Sequence, residues 1–192
     1  MVPAMASEVV LIRHGATEWS STRRHTGRTD IPLTDEGRAQ AVAVRDRVAA
    51  WHFALVLVSP LQRARETCRL VGLDDAAVLD VDLEEWDYGD YEGLTTMQVR
   101  EARPGWTVFG DGVMPGGEDI GEVGVRADRV IGRADAVDGP VALVAHGHLL
   151  RILGARWIGD APLEAANLAL DTATLCVLGY EHERKVIRRW NC

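Results

Sequence analysis

The sequence predicts an α/β protein: a three-layer α/β/α sandwich around a mostly parallel central sheet. Three observations carry that prediction. Runs of consecutive apolar residues at 9–13, 53–58 and 141–145 read as strands covered on both faces, not as half-exposed strands that alternate. Segments with helical periodicity and capping residues separate those strands. Each run also stops at polar residues, as strands do when they deliver side chains to the carboxyl edge of an open sheet.

The elements follow in order. After the strand at 9–13, residues 15–33 form a polar connection without periodicity, long enough to carry a function. Thr34 caps a helix predicted to run to about Trp51, with Asp35 and Glu36 in its first turn and Ala41, Val44, Val48 and Trp51 on its apolar side. After the strand at 53–58, Ser59 is the expected cap and Pro60 the first residue of a helix through LQRARETCRLV. A short strand is expected at 78–81, then the irregular acidic stretch LEEWDYGDYEG. Thr95 or Thr96 starts a helix that Pro104-Gly105 ends, and a Gly-rich loop covers 106–117. A helix at 118–137 is expected despite its internal glycines. The strand at 141–145 leads into HGH and a helix, and residues 174–180 and 185–190 read as a closing hairpin.

With 192 residues, no repeats and no linker-like stretch, the chain is expected to form a single domain over 1–192. Its net charge is −8, so it is a poor general binder of nucleic acid or anionic membrane, and any anion it handles must meet a local basic pocket. Cys68, Cys176 and Cys192 are odd in number and scattered, as expected of reduced thiols in a cytoplasmic protein. The opening MVPAMAS lacks an apolar signal core, and no run approaches the length of a membrane span.

Chemistry gathers at three strand ends: Arg13-His14-Gly15, Ser59 to Arg63, and His146-Gly147-His148. If these strands are neighbours, two arginines and two histidines converge, with Gly15 and Gly147 letting the backbone come close to a ligand. Paired guanidinium forks with imidazole donors suit a tetrahedral oxyanion, phosphate above all. Surrounding positive charge would keep His14 neutral and nucleophilic, able to form a phosphohistidine. The departing alkoxide then needs a general acid. Glu84, Glu85, Asp87, Asp90 and Glu92 are all candidates, and spacing does not choose among them. No H-x-x-x-H or H-E-x-x-H spacing supports a metal site, and no cofactor is implied. His148, two residues past His146 on a helix, is expected to turn away from the pocket.

These residues then reveal a pattern. LIRHGATEW, SPLQRARET, LEEWDYGDYEG, PGGE and VAHGH, in that order, resemble the markers of the histidine phosphatase (phosphoglycerate mutase-like) superfamily across essentially the whole chain. The resemblance implies that His14 is the phosphorylated nucleophile and that Arg13, Arg63 and His146 complete the phosphate pocket. It selects Glu85 as proton donor, and it assigns Thr26 and Gly27 to phosphate and substrate contact, with Gly147 beside them. Ser20 stands where many members have Asn, so the extra phosphate donor there would be a hydroxyl. Trp86-Asp87-Tyr88 replaces the Arg-His-Tyr of the mutases, and the stretch from Gly93 to His146 is shorter than their lid. Both departures favour transfer to water, hence a phosphatase acting on a small phosphorylated metabolite and releasing inorganic phosphate. The competing expectation is mutase-type transfer primed by a bisphosphorylated compound. A homodimer is a further possibility the sequence raises through its C-terminal hairpin.

Overall fold

A computed structural model describes residues 8–110 and 112–192, so the amino-terminal heptad read above for a leader lies outside the described residues. Among those described, six strands form one sheet: β1 (Val9–Arg13), β2 (Leu55–Val58), β3 (Ala77–Leu79), β4 (Val141–Ala145), β5 (Leu175–Glu181) and β6 (Arg184–Arg189). Their spatial order is β3-β2-β4-β1-β5-β6. The pairs β3-β2, β2-β4 and β4-β1 are parallel, whereas β5 runs antiparallel to β1 and β6 antiparallel to β5.

The continuous apolar runs are explained by the two cores. Val9 and Leu11 of β1, Leu57 of β2 and Leu143 of β4 face one core, while Val10, Ile12, Val56, Val58 and Val144 face the other. A strand side chain alternates between faces, so a strand packed on both sides has no polar position to spare. The first core is closed by α6 (Ile120–Asp135) and α7 (Gly147–Trp157). The second is closed by α2 (Asp35–Ala43), α3 (Arg45–Val48) and α4 (Gln62–Leu70). Helices on both faces make the predicted three layers.

Local sequence accounts for most boundaries. Thr34 caps α2 through a bond from the Gly37 N–H at 3.0 Å. The predicted single helix to Trp51 is instead two, because Val44 takes φ −94°, ψ −3° and interrupts the ladder between α2 and α3. Thr95 and Gln98 form a reciprocal capping box on α5 (Thr96–Ala102). Asp119 and Glu122 do the same for α6, which offsets the cost of its interior glycines. Ser59 is not the cap of α4. Leu61 holds that position without a side-chain bond, and Asp30 caps from a distance, its Oδ1 accepting from the Gln62 N–H at 2.8 Å. The third strand is shorter and earlier than expected, at Ala77–Leu79.

All three cysteines are free, and no described helix is long and apolar enough to cross a membrane.

Candidate active site

Sheet order puts the predicted strand ends side by side. In register Arg13 pairs with Ala145 and Val58 with Val144, so the tips of β2, β4 and β1 are level. The His14 N–H donates to Ala145 O at 3.0 Å and the Ser59 N–H to Val144 O at 3.0 Å. The connection after β1 crosses to the α2 face, whereas that after β4 enters α7 on the other. The cleft between two such connections is where open α/β sheets bind ligands.

A cavity of about 280 Å³ opens there. Arg13, His14, Ser20, Thr26, Glu85 and Gly147 all line it. His146 and Arg63 do not line it; they form a buried layer directly beneath. The His14 and His146 ring centroids lie 5.1 Å apart. Arg63 Nε donates to His146 Nδ1 at 3.1 Å. With Nδ1 accepting, the proton of a neutral His146 sits on Nε2, which donates to Ser59 Oγ at 2.7 Å. Ser59, read as a helix cap, is therefore the anchor of His146.

His14 is buried, and its Nδ1–H donates to Gly15 O at 2.7 Å. That bond leaves Nε2 as the unprotonated nitrogen of the neutral ring. Burial first, then the charges of Arg63 and Arg13, hold the His14 pKa well below its ordinary 6.5. His146 is lowered in the same way, by burial and then by Arg63. Desolvation is thus the main cause of the low His14 pKa, with the positive charge expected from the sequence second.

The two arginines differ. Arg63 is fully buried and donates to Gly27 O at 2.8 Å and Thr29 O at 2.9 Å as well as to His146. A guanidinium so enclosed is tolerable only because carbonyls and imidazole replace its lost hydration. Arg13 gives Nη1 to Leu170 O but keeps a buried Nε–H without a protein partner. Gly147 makes room for it: a Cβ there would lie 3.1 Å from the Arg13 Cζ.

Glu85 stands at the amino end of α7. One carboxylate oxygen accepts from the Trp86 and Leu149 N–H groups, each at 2.9 Å, and the other from the His148 N–H at 3.0 Å. His146, the formal cap residue, makes no side-chain cap bond, so Glu85 supplies that function against the helix dipole. Arg126 holds the Glu85 segment from below. Its Nη1 donates to Asp82 O at 2.8 Å and Glu84 O at 2.9 Å, and its Nε to Glu118 at 2.7 Å. Nothing in the spacing of the acidic stretch pointed to that clamp. Asp82 beside it is held down at about 2, chiefly by its hydrogen bond from Arg129.

Gly15, Gly27 and His148 depart from the sequence expectation, whereas Ser20 and Thr26 line the cavity as candidates. Gly15 approaches the backbone of Gly37, where an added Cβ would sit 2.2 Å from Gly37 O, so the glycine serves loop packing and not a ligand. The Ser20 hydroxyl lines the cavity, but its proton goes to Thr17 O at 3.0 Å inside the capping box of α1 (Glu18–Ser21). The Thr26 hydroxyl donates to Arg24 O at 3.2 Å. The Gly27 N–H is taken by Glu92 at 2.8 Å and its carbonyl by Arg63, so Gly27 anchors the loop. His148 does not turn away: it lines the cavity, with Nδ1 bonded to the Tyr88 hydroxyl. Tyr88, His25 and Arg151 also line it. Arg151 follows His148 by three residues on α7, a spacing that puts both on one helix face. Trp86 is fully buried with its Nε1–H on Glu118 O, a packing residue. No group of side chains among the described residues is arranged to hold a metal.

The model of the histidine phosphatase superfamily (branch 1) matches residues 9–192, and the chain belongs to that superfamily. It is 39% identical to an acid phosphatase of Mycobacterium tuberculosis (strain ATCC 25618 / H37Rv) over 91% of this chain and 87% of that protein. It is 33% identical to sedoheptulose 1,7-bisphosphatase of Saccharomyces cerevisiae (strain ATCC 204508 / S288c), over 82% of this chain and 70% of that one. The solved structure of the open reading frame Rv3214 from Mycobacterium tuberculosis superposes with a TM-score of 0.90 at 35% identity, covering 96% of this chain and 97% of that one. Other relatives carry the name probable phosphoglycerate mutase.

Proposed function

We propose that this protein is a phosphomonoester hydrolase working through phosphohistidine at His14, with Glu85 as proton donor and a small phosphorylated metabolite as substrate. The observation that carries this reading is the tautomer of His14: its proton is spent on Gly15 O, and its Nε2 is free in the cavity that Arg13 and Glu85 also line.

In the first step His14 Nε2 attacks phosphorus. The N–P bond forms as the P–O bond to the alcohol breaks, and Glu85 gives its proton to the departing oxygen. Arg13, which lines the cavity, stabilises the charge that collects on the phosphoryl oxygens. Arg63 and His146 act from beneath, holding the floor and its charge. In the second step water attacks the phosphohistidine and Glu85 takes the water's proton. The N–P bond breaks, inorganic phosphate leaves, and both residues return to their starting states. The shared reading with phosphatase relatives supports hydrolysis over transfer, as does the short stretch from Gly93 to His146.

The test is phosphate release from a panel of small phosphomonoesters with no bisphosphorylated primer present. Steady release supports the reading. Exchange between phosphate positions of one compound, dependent on primer and without release, overturns it in favour of a mutase. The whole chain acts as one domain, in the cytoplasm; neither is needed for the chemistry.

A further inference from the structure

Three arginines in the cavity wall are not used by the reaction above. We infer that the alcohol part of the substrate carries a second anionic group, a carboxylate or another phosphate, which Arg23, Arg24 and Arg151 recognise. This rests on the proposed phosphatase reading and names the substrate class of the same site.

On a chain of net charge −8, the wall of one cavity of about 280 Å³ carries Arg13, Arg23, Arg24 and Arg151. Among the described residues Glu85 is the one carboxylate lining it, and both its oxygens are taken by backbone N–H groups. A single phosphoryl group is served by Arg13 and the buried Arg63 below. The remaining charge has no counterpart in the protein: neither Arg23 nor Arg24 meets a carboxylate among the described residues. Arg28, from the same loop, shows the ordinary alternative, since it pairs with Asp87 at 3.0 Å and stays out of the cavity.

Arg23 has φ 58°, in the left-handed region. It closes α1, with the Arg24 N–H donating to Trp19 O at 2.8 Å and the Arg23 N–H to Ser20 O at 3.2 Å. That turn usually holds glycine or asparagine at this position, because a side chain is strained there. Here the strain is retained and a guanidinium lies in the cavity wall.

Arg151 is half-buried; its Nε donates to Ala165 O at 3.1 Å and its Nη2 to Ala166 O at 3.2 Å, and its Cζ lies 4.5 Å over the Phe109 ring. One edge of the fork is fixed to the protein, which leaves Nη1 for a ligand. A preorganised fork of this kind favours planar or tetrahedral oxyanions.

The experiment compares three small phosphomonoesters matched in size, whose alcohol parts are neutral, carry a carboxylate, or carry a second phosphate. The matching non-hydrolysable phosphonates are titrated calorimetrically into the same protein. The wild-type protein is expected to prefer an anionic tail by about tenfold or more in kcat/KM, mainly through KM, and in Kd, with the preference shrinking at high salt. The better of the two anionic tails identifies the second group. Arg23→Gly and Arg24→Gln should each reduce that preference severalfold, and Arg23→Gly should do so without lowering Tm, since glycine relaxes the turn. Arg28→Ala should keep the preference. Equal treatment of neutral and anionic tails by the wild type, or a preference that survives the Arg23→Gly/Arg24→Gln double variant, overturns the inference. If no ester is hydrolysed, the phosphatase reading fails, while the phosphonate affinities still decide whether a second anion is recognised.

Discussion

The floor and the mouth of the cavity are built by opposite rules. On the floor His14, His146, Arg63 and Ser59 are buried and bonded to one another or to backbone. At the mouth Arg23 and Arg24 are exposed, and Arg151 is fixed along only one edge. A satisfied buried network gives a unique geometry, because each missing partner would cost the full desolvation of the other. An unsatisfied, solvated set gives little stability but keeps its donors for a ligand. Removing Arg63, His146 or Ser59 should therefore act first on the fold, and removing a mouth residue first on binding.

The largest expected effect tests the floor. Arg63→Ala strips the donor from His146 Nδ1 and from the Gly27 and Thr29 carbonyls and opens a buried cavity. It should cost about 3 kcal/mol or more in urea denaturation. Arg24→Ala in the mouth should stay within about 0.5 kcal/mol. Equal costs would break the distinction.

Glu85 sits between the two regions and should show both effects. In Glu85→Gln one oxygen becomes an amide donor facing backbone N–H groups, which predicts a stability loss of about 1–3 kcal/mol. The same change should lower kcat more for esters with poor leaving groups than for good ones. A uniform fall across leaving groups would leave Glu85 as a helix cap alone.

A smaller, shared effect is expected from pH. Burial holds His14 and His146 well below 6.5, so in the range under 6.5 the unfolded chain binds more protons than the folded one. Their neutral burial costs no stability above 6.5, and stability falls as pH drops below it. Tm should therefore decline between about pH 7 and about pH 5, before the carboxylates titrate. A flat Tm over that range would mean the floor histidines are not held neutral by burial.

The fold was largely legible because a strand packed on both faces has no choice but to be apolar throughout, and β1 and β4 announce themselves at their full length. Capping chemistry makes Thr34 readable and narrows the next cap to Thr95 or Thr96, of which the structure takes Thr95. Ser59 misled because a serine before proline has the same local signature whether it caps a helix or anchors a histidine across the sheet; the true cap, Asp30, lies far away in sequence. The sequence points to Arg13, His14, Arg63, Glu85 and His146, yet not to their division into wall and floor, which depends on which carbonyls of loop 26–29 reach Arg63. Arg126 and Tyr88 were invisible for the same reason: their partners come from other segments. His148 was misjudged by treating the residues after β4 as already turned away, when the cavity curves around the first turn of α7.

The central claim is that His14 carries the phosphoryl group. Rapid mixing with a phosphorus-labelled ester, an alkaline quench that preserves phosphohistidine, and peptide mapping should find acid-labile label on His14. In His14→Ala the label should vanish and turnover should drop on the order of 10^4-fold or more. Label elsewhere, or turnover that survives His14→Ala, would contradict the account.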